Sequence, residues 1–340
     1  MQKQLTDRSK QVLKLVIEEY VATARAVGSE VLREKYRLAV SSATLRNEMA
    51  ELERRGLLTH LHTSGGRIPS EAGYRLFVEN MIDNLGLSPT DMRRVEHQFH
   101  QVEGNPDLSR WAELAASVLA QLASNAALVT TPRSGNVALK HVQLIHLHDR
   151  SALTVAVMDD GSVRQSVCVL PYAASQEELN TVSAALTATF AGHYSPELPA
   201  KARELHGIAA EVAPQVLGGV WRRGVHGTVS QSGLLNMLSQ PEFRQTETAR
   251  PVVEVIEGGA LITKLAERVV NQPGVHVIIG SENPLEQMTR CSIVTATYAA
   301  PHGGYGLLTV VGPTRMPYER TISSVYYVSR LLSQMLQSQD

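Results

Sequence analysis

The chain of 340 residues is 43% hydrophobic and 19% charged, with a formal net charge of −1. This composition excludes a disordered or fibrous chain, and a length prior of roughly 100–200 residues per domain predicts two or three domains. No apolar run reaches the ~18 residues of a membrane span, and the polar start lacks a signal-peptide core, so we expect a cytoplasmic protein. Cys168 and Cys291 lack the short spacing of a zinc site or disulfide framework and are interpreted as buried small hydrophobic residues.

Charge is distributed unevenly along the sequence. Residues 1–75 contain 13 Lys and Arg against 9 Asp and Glu, a balance of +4, which leaves 19 against 24, or −5, for the remainder. A basic N-terminal segment followed by an acidic remainder of the chain favours one domain that binds a polyanion and further domains with other roles.

Three helices joined by short turns are predicted at the N-terminus. Thr6 is the candidate N-cap of the first helix, whose apolar side chains recur at spacings of three and four residues. The second, short helix follows Gly28. Three of its side chains are expected to face the core: Val31, Leu32 and Tyr36. Ser41 caps a third helix over residues 41–55, which Gly56 closes, and this order of helices is typical of a helix-turn-helix.

A β-hairpin and a fourth helix follow. Residues 57–58 begin a strand, a polar tip with two glycines comes next, and residues 68–69 begin the return strand. Ser70 caps a further helix whose apolar stripe extends to Leu85. Residues 86–90 break the pattern and are interpreted as a linker.

The rest of the chain predicts an α+β fold. A helix is expected over residues 107–124, residues 175–225 have helical periodicity, and a last helix covers 317–336. Strands are expected at residues 127–131, 140–148, 152–158, 162–170, 275–280, 291–298 and 307–311. We interpret this order as an antiparallel sheet domain interrupted by a helical insert.

The third helix carries the residues that favour DNA binding. When Leu45, Met49 and Leu52 face the core, the opposite side presents small and polar residues: Ala43, Thr44, Arg46, Asn47, Ala50 and Arg54. Small side chains permit close approach to a major groove, where Asn pairs with adenine and Arg with guanine. Ser41 and Ser42 at the helix start are expected to contact phosphate. A solvated polar helix face is the commoner alternative.

The hairpin strengthens the DNA interpretation. Its candidate DNA-contacting residues are His60, His62, Ser64, Gly65, Gly66 and Arg67. They form a mildly basic tip that can follow a phosphate backbone or place Arg67 in a minor groove. A helix-turn-helix followed by such a wing predicts a DNA-binding protein.

The chain resembles the HrcA family, the heat-inducible transcription repressors of bacteria, in the string GSEVLREKYRLAVSSATLRNEMAELERRGLLTHLHTSGGRIPSEAGYRLFV. Three C-terminal strings also resemble this family: GSENPLEQM, CSIVTATY and GPTRMPYERTISSVYYVSRLL. The resemblance covers nearly the whole chain, whereas residues 175–245 match only in general character.

The resemblance implies a division into domains. These are a winged helix at residues 1–86, a linker helix at 87–104, a GAF-like domain in two parts at 105–172 and 246–340, and an inserted dimerising domain at 173–245. It further implies a homodimer that represses chaperone operons through double-stranded DNA, at an inverted repeat called CIRCE, and that the GroEL chaperonin keeps active.

Other functions have weaker support in the sequence. The pairs His97/His100 and His146/His148 lack a carboxylate or Cys partner at ligand spacing, and no serine lies in a nucleophile elbow, so we expect no metal, no cofactor and no enzyme activity. A small molecule bound in the cup of a GAF-like sheet is the alternative means of control. The apolar helices of the insert are the expected dimer surface, unless they only cover the sheet, in which case Tyr326 and Leu331 on the last helix are the next candidates.

Overall fold

The structure is a computed structural model. It describes residues 5–60, 66–80, 86–102, 104, 107–132, 137–159, 161, 163–194, 197–222, 228–269, 272–300 and 304–337. No helix in the described part of the chain is long and apolar enough to cross a membrane.

Thirteen α-helices are defined within these residues. They are α1 (Asp7–Thr23), α2 (Ser29–Lys35), α3 (Ser42–Arg54), α4 (Glu71–Glu79), α5 (Pro89–His100), α6 (Leu108–Ala123), α7 (Gln176–Phe190), α8 (Leu198–Lys201), α9 (Gly207–Arg222), α10 (Leu234–Leu238), α11 (Thr246–Glu257), α12 (Ala260–Val269) and α13 (Tyr318–Gln337).

Ten strands form three antiparallel sheets in the same part of the chain. They are β1 (Leu58–His60), β2 (Arg67–Pro69), β3 (Ala126–Thr130), β4 (Leu139–His148), β5 (Ser151–Met158), β6 (Val163–Val169), β7 (Val229–Ser232), β8 (Val275–Ile279), β9 (Cys291–Ala300) and β10 (Gly304–Pro313).

The chain divides into two compact units. The first contains Met1–Thr130, Val229–Tyr298 and Leu307–Met335, and the second contains Thr131–Thr228 with two short C-terminal pieces. Within the first unit, we call helices α1–α4 with strands β1 and β2 the head, and the five-stranded sheet with the helices packed on it the body.

The head begins with the three predicted helices. The Thr6 side chain accepts the Ser9 N–H at 3.1 Å and caps α1, and Ser41 caps α3 in the same way. The prediction that Val31 faces the core is wrong, because Val31 is 46% exposed. Of the three side chains expected in the core, only Leu32 is buried. The reason is the length of α2, whose two turns give it a core side formed by Ser29 and Leu32.

Helix α4 is shorter than predicted. It ends at Glu79 because the Asn80 side chain donates to the Leu76 carbonyl oxygen at 2.6 Å and satisfies a C-terminal acceptor of the helix. The remaining apolar positions of the predicted stripe, residues 81–85, lie outside the described residues.

The body contains a five-stranded sheet with the strand order β7-β3-β10-β9-β8. Helices α10, α11 and α12 cover one face through a cluster of buried apolar side chains that includes Phe243, Ile262 and Ile293. Cys291 belongs to this cluster, and burial raises the pKa of its thiol to about 12. Both cysteines are free and buried, which confirms their interpretation as small hydrophobic residues.

The second unit contains a three-stranded sheet in the order β4-β5-β6, packed on α7 and α9. This arrangement differs from the predicted boundary, which assigned the same strands to the GAF-like domain at residues 105–172. The strands β4–β6 pair with one another in their own sheet, and the inward side chains of β5, such as Ala152 and Ala156, share one buried cluster with side chains of α7 and α9.

Candidate nucleic-acid interface

The recognition face, as we call the side of α3 opposite its core side, is open to solvent. Leu45, Met49 and Leu52 are buried, as predicted from their spacing. On the other side four residues are exposed: Ala43, Arg46, Asn47 and Arg54. Thr44 and Ala50 at its margins are half-buried. The side chains that could contact bases are therefore accessible.

The start of α3 is organised by Ser41. Its Oγ accepts the Thr44 N–H at 3.1 Å and lies 2.9 Å from Thr44 Oγ1. Ser42 is the first helical residue and is half-buried. Because Ser41 already satisfies one N–H group, a phosphate at this end would bind to the other N–H groups of the first turn.

Carboxylates of α1 and α3 hold the helices of the head together. The buried Glu19 of α1 accepts from Lys35 Nζ at 2.5 Å and from the Tyr36 hydroxyl at 3.3 Å, which fixes the end of α2. The Ser9 hydroxyl donates to Glu48 of α3 at 2.8 Å. These bonds help to fix the angle of α3 relative to α1 and α2.

Glu51 on α3 binds two arginines of the same helix end. It accepts from Arg54 Nε at 3.1 Å and from Arg55 Nε at 2.7 Å. These hydrogen bonds lower the pKa of Glu51, so its carboxylate stays ionised at neutral pH. Arg54 is exposed but ion-paired, and a DNA phosphate would compete with Glu51 for it.

Glu53, two residues further along α3, holds the wing. Its carboxylate accepts from Arg67 Nε at 2.9 Å and forms a short contact with His60 Nδ1. His60 and Arg67 are cross-strand neighbours in the β1–β2 pair. One carboxylate therefore joins both strands of the β1–β2 hairpin to the end of α3.

Arg67 begins β2 and pairs with His60, at the end of the hairpin next to the predicted tip. Its side chain is 15% exposed, and its N–H and carbonyl groups pair with Val27 at 2.9 and 2.8 Å. The adjacent Gly66 fits because a Cβ there would lie 2.5 Å from the Val27 carbonyl carbon. The Arg67 side chain is thus bonded to Glu53, and its contact with a minor groove stays a prediction. Three other predicted residues, His62, Ser64 and Gly65, lie outside the described part of the chain.

Sequence reasoning missed the carboxylates that organise this site. The spacing of Glu51 to Arg54 and Arg55, three and four residues on a helix, is a signal that could have revealed their pairs. The Glu53–Arg67 pair joins residues 14 apart across a helix end and a hairpin, and no local spacing rule predicts it. Among the described residues, no group of three or more His, Cys, Asp or Glu side chains could hold a metal ion.

Known proteins match this chain over nearly its full length. The family model for the HrcA protein C terminal domain matches residues 109–322. The heat-inducible transcription repressor HrcA of Roseiflexus castenholzii is 41% identical over 344 residues, which cover 98% of this chain and 94% of that protein. The corresponding repressor of Chloroflexus aurantiacus is 39% identical over 352 residues, with the same coverage of 98% and 94%.

A solved structure also matches the fold. A crystal structure of a hypothetical protein at 2.2 Å resolution aligns with a TM-score of 0.63 and 21% identity, over 99% of this chain and 100% of that one. Since this identity is low, the match supports the fold alone. The family model and the full-length relatives together show that the chain belongs to the HrcA family of heat-inducible transcription repressors.

Proposed function

We propose that this protein represses transcription by binding operator DNA as a homodimer, with each head acting as a winged helix-turn-helix, and that it has no catalytic activity. The observation that carries this proposal is the exposed recognition face on α3. Arg46 and Asn47 are exposed there, and neither side chain has a hydrogen bond to another of the residues that the structure describes. The small Ala43 beside them permits close approach to base edges.

A single head contacts too few base pairs to select one operator in a bacterial genome, so the proposal requires two heads. The predicted dimer surface, the apolar side of the insert helices, is used inside the protein. Leu179, Leu186 and Val212 of α7 and α9 are buried in the core of the second unit. Because this side of the helices covers the sheet, a dimer contact needs another surface.

The surface that we propose for the dimer is the opposite face of the three-stranded sheet. Val163, Val167 and Val169 of β6 are 55%, 57% and 55% exposed. The register aligns them with Val157, Leu153 and Ser151 of β5, and Ile145 of β4 pairs with Leu153 on the same face. We call this surface the valine face.

A second copy of the chain is the occupant that suits the valine face best. Its remaining in-register polar positions are amide, hydroxyl and imidazole side chains: His141, Gln143, His148, Ser151 and Gln165. A face without Asp, Glu, Lys or Arg at these positions can oppose its own copy without like-charge repulsion, as a two-fold interface requires. Burying a valine contributes about 1.5–3 kcal/mol when it is fully removed from water.

The family resemblance supplies the finer parts of the proposal. It supports an inverted-repeat operator of the CIRCE type before chaperone operons, action in the cytoplasm, and a chaperonin of the GroEL type as the partner that keeps the repressor active. The chaperonin is tested by adding it with ATP to a mobility-shift titration, where it should raise the fraction of protein that binds operator.

Control by a small molecule in the body is less favoured. The face of the five-stranded sheet under α10–α12 is filled by Met237, Val252, Ile256 and Leu261, all buried. A packed apolar core leaves no room for a ligand unless helices move. A thermal-shift screen of metabolites tests this alternative.

The deciding experiment is a selection of duplexes from a random library by the full-length protein. An inverted repeat should be recovered, and mobility shifts should show that the repeat binds far more tightly than either half alone. Recovery of no common sequence, or equal affinity for repeat and half-site, contradicts the proposal.

A further inference from the structure

Among the described residues, the head contacts the body through half-buried polar bonds at one place and largely solvent-exposed ones at another. One lies at the C-terminal end of α1 and the other on the first turns of α4. Both places belong to the first unit of the chain. Neither uses the recognition face of α3.

At the first place, Arg315 of the body reaches the end of α1. Its Nη1 donates to the Val21 carbonyl oxygen at 2.7 Å, while Nε and Nη2 donate to the two carboxylate oxygens of Glu242 at 2.7 and 3.2 Å. Nη2 also donates to Gln240 Oε1 at 3.1 Å. The Arg315 side chain is 11% exposed, and its planar guanidinium holds this geometry rigidly.

The positive charge at the C-terminal end of α1 comes from the body and not from the helix itself. Its last turn contains no basic residue, and its C-cap Ala24 has a left-handed φ of 54°. The carbonyl groups at a helix C-terminus carry partial negative charge and lack partners within the helix. Arg315 satisfies one of them, so the direction of α1 is tied to the body.

At the second place, α4 presents a carboxylate and a guanidinium to the segment that follows β8. Glu71 accepts from Ser281 N at 3.1 Å and from Ser281 Oγ at 2.5 Å. Arg75 Nε donates to Glu282 at 2.9 Å, and its Nη2 donates to the Val277 carbonyl oxygen at 2.8 Å and to Glu282. Two opposite charges on one helix thus meet complementary partners.

Between these places the junction is imperfectly packed. The rings of Tyr74 and Tyr318 lie 5.4 Å apart, yet the buried Tyr74 hydroxyl has no hydrogen-bond partner within the described part of the chain. A cleft of about 440 Å³, lined by residues of α1, α4, α5 and α13, remains beside them. Hydrogen bonds and ion pairs form only at particular angles. A junction held by them therefore constrains the angle of the head on the body more than it strengthens the contact.

We propose that Arg315 and Arg75 are positioning residues that fix the angle of the head on the body and thereby set the spacing between operator half-sites that a dimer accepts. The inference rests on the proposed function. When each head keeps one angle on its body, a dimer reaches fewer separations and helical phases of the DNA than a dimer whose heads turn freely. Loosening also lowers the effective concentration of the second head at its half-site.

The test compares full-length wild type with R315M, R75M and the matched surface variant R250M. Arg250 forms an exposed pair with Glu254 on α11, away from the junction. The probes are duplexes that carry two copies of the half-site selected by the wild type, inverted and separated by spacers of graded length, together with a duplex that carries one half-site. Affinities are measured by fluorescence anisotropy.

Wild type and R250M should bind one spacer length best. R315M and R75M should bind neighbouring spacers nearly equally, lose about tenfold affinity for the best spacer, and keep their affinity for the single half-site. An unchanged spacer preference in both variants overturns the proposal, and so does an equal loss on the single half-site, which indicates a damaged head. R75K, which restores the charge at the less buried place, should recover part of the preference.

Failure of the proposed function gives a different result, because the wild type itself would then bind all spacers and the single half-site alike. If R315M does not fold, as thermal denaturation would reveal, the R75M series decides the question alone.

Discussion

The Glu53 carboxylate on α3 accepts a hydrogen bond from Arg67 Nε on β2 at 2.9 Å. This bond joins α3 to the β1–β2 hairpin. A DNA duplex would attract the positive charge of Arg67 and repel the negative charge of Glu53. Glu53 contributes by holding the wing in place, although its own charge opposes the phosphate backbone.

Replacing Glu53 tests this role. E53Q should lower the ratio of operator affinity to random-DNA affinity by about tenfold, or ~1.4 kcal/mol, because the wing loses a charge-assisted bond that fixes its position. Competition mobility shifts with operator and random duplexes measure this ratio.

E51Q is the matched control and carries its own expectation. It removes the same charge from the same helix but leaves the wing bonds intact, and it releases Arg54 from its bond to Glu51. Affinity should rise for every duplex, and the slope of log K against log salt should steepen by up to ~0.9 for each new phosphate contact. Identical behaviour of the two variants would contradict the distinction between these carboxylates.

Asn47 is expected to determine one base position. N47A should cost about 1–3 kcal/mol at the cognate site and relax the preference at that position, because Asn pairs bidentately with adenine. Selection from a randomised half-site measures the preference, and N236A on the body is the control. Unchanged preference with N47A would show that another face of α3 contacts the bases.

Gly66 is expected to be required for the fold of the wing. G66A should lower the free energy of unfolding by about 1–3 kcal/mol, because its Cβ would lie 2.5 Å from a backbone carbon of Val27. G28A is the control, since a Cβ at Gly28 meets no atom within 4 Å. Denaturant unfolding of both variants gives the comparison, and equal stability would refute the close approach.

Much of the fold was predictable from the sequence because it follows from local rules. The periodicity of Leu45, Met49 and Leu52 gave the core side of α3, and Ser41 gave its start, both as the structure has them. The strand pairs around Asp149 and Gly161 also follow from turn chemistry, since both residues adopt positive φ.

Long-range partners were not predictable in this way. Nothing in the sequence near Arg67 or Arg315 indicates that each binds a carboxylate distant along the chain, Glu53 and Glu242 respectively. The sequence likewise did not separate β4–β6 from the five-stranded sheet, because the alternation within a strand predicts its buried face but not which helices cover that face. A single sequence shows the spacing of apolar residues that defines a helix or strand, but it shows little about which other element packs against it.

The last prediction concerns the valine face. V167D should convert the protein to a monomer, because the 57% exposed Val167 lies in the middle of the face, beside Leu153, and a two-fold contact would place two buried carboxylates near each other. Sedimentation gives the mass, and mobility shifts should show that the monomer loses the preference for an inverted repeat over a single half-site. L235D is the matched control, since Leu235 of α10 is 81% exposed in the first unit and its replacement adds the same charge without touching the valine face. A fully dimeric V167D that still prefers the repeat would exclude this face, and the dimer contact would then be sought on α13 around Tyr326 and Leu331.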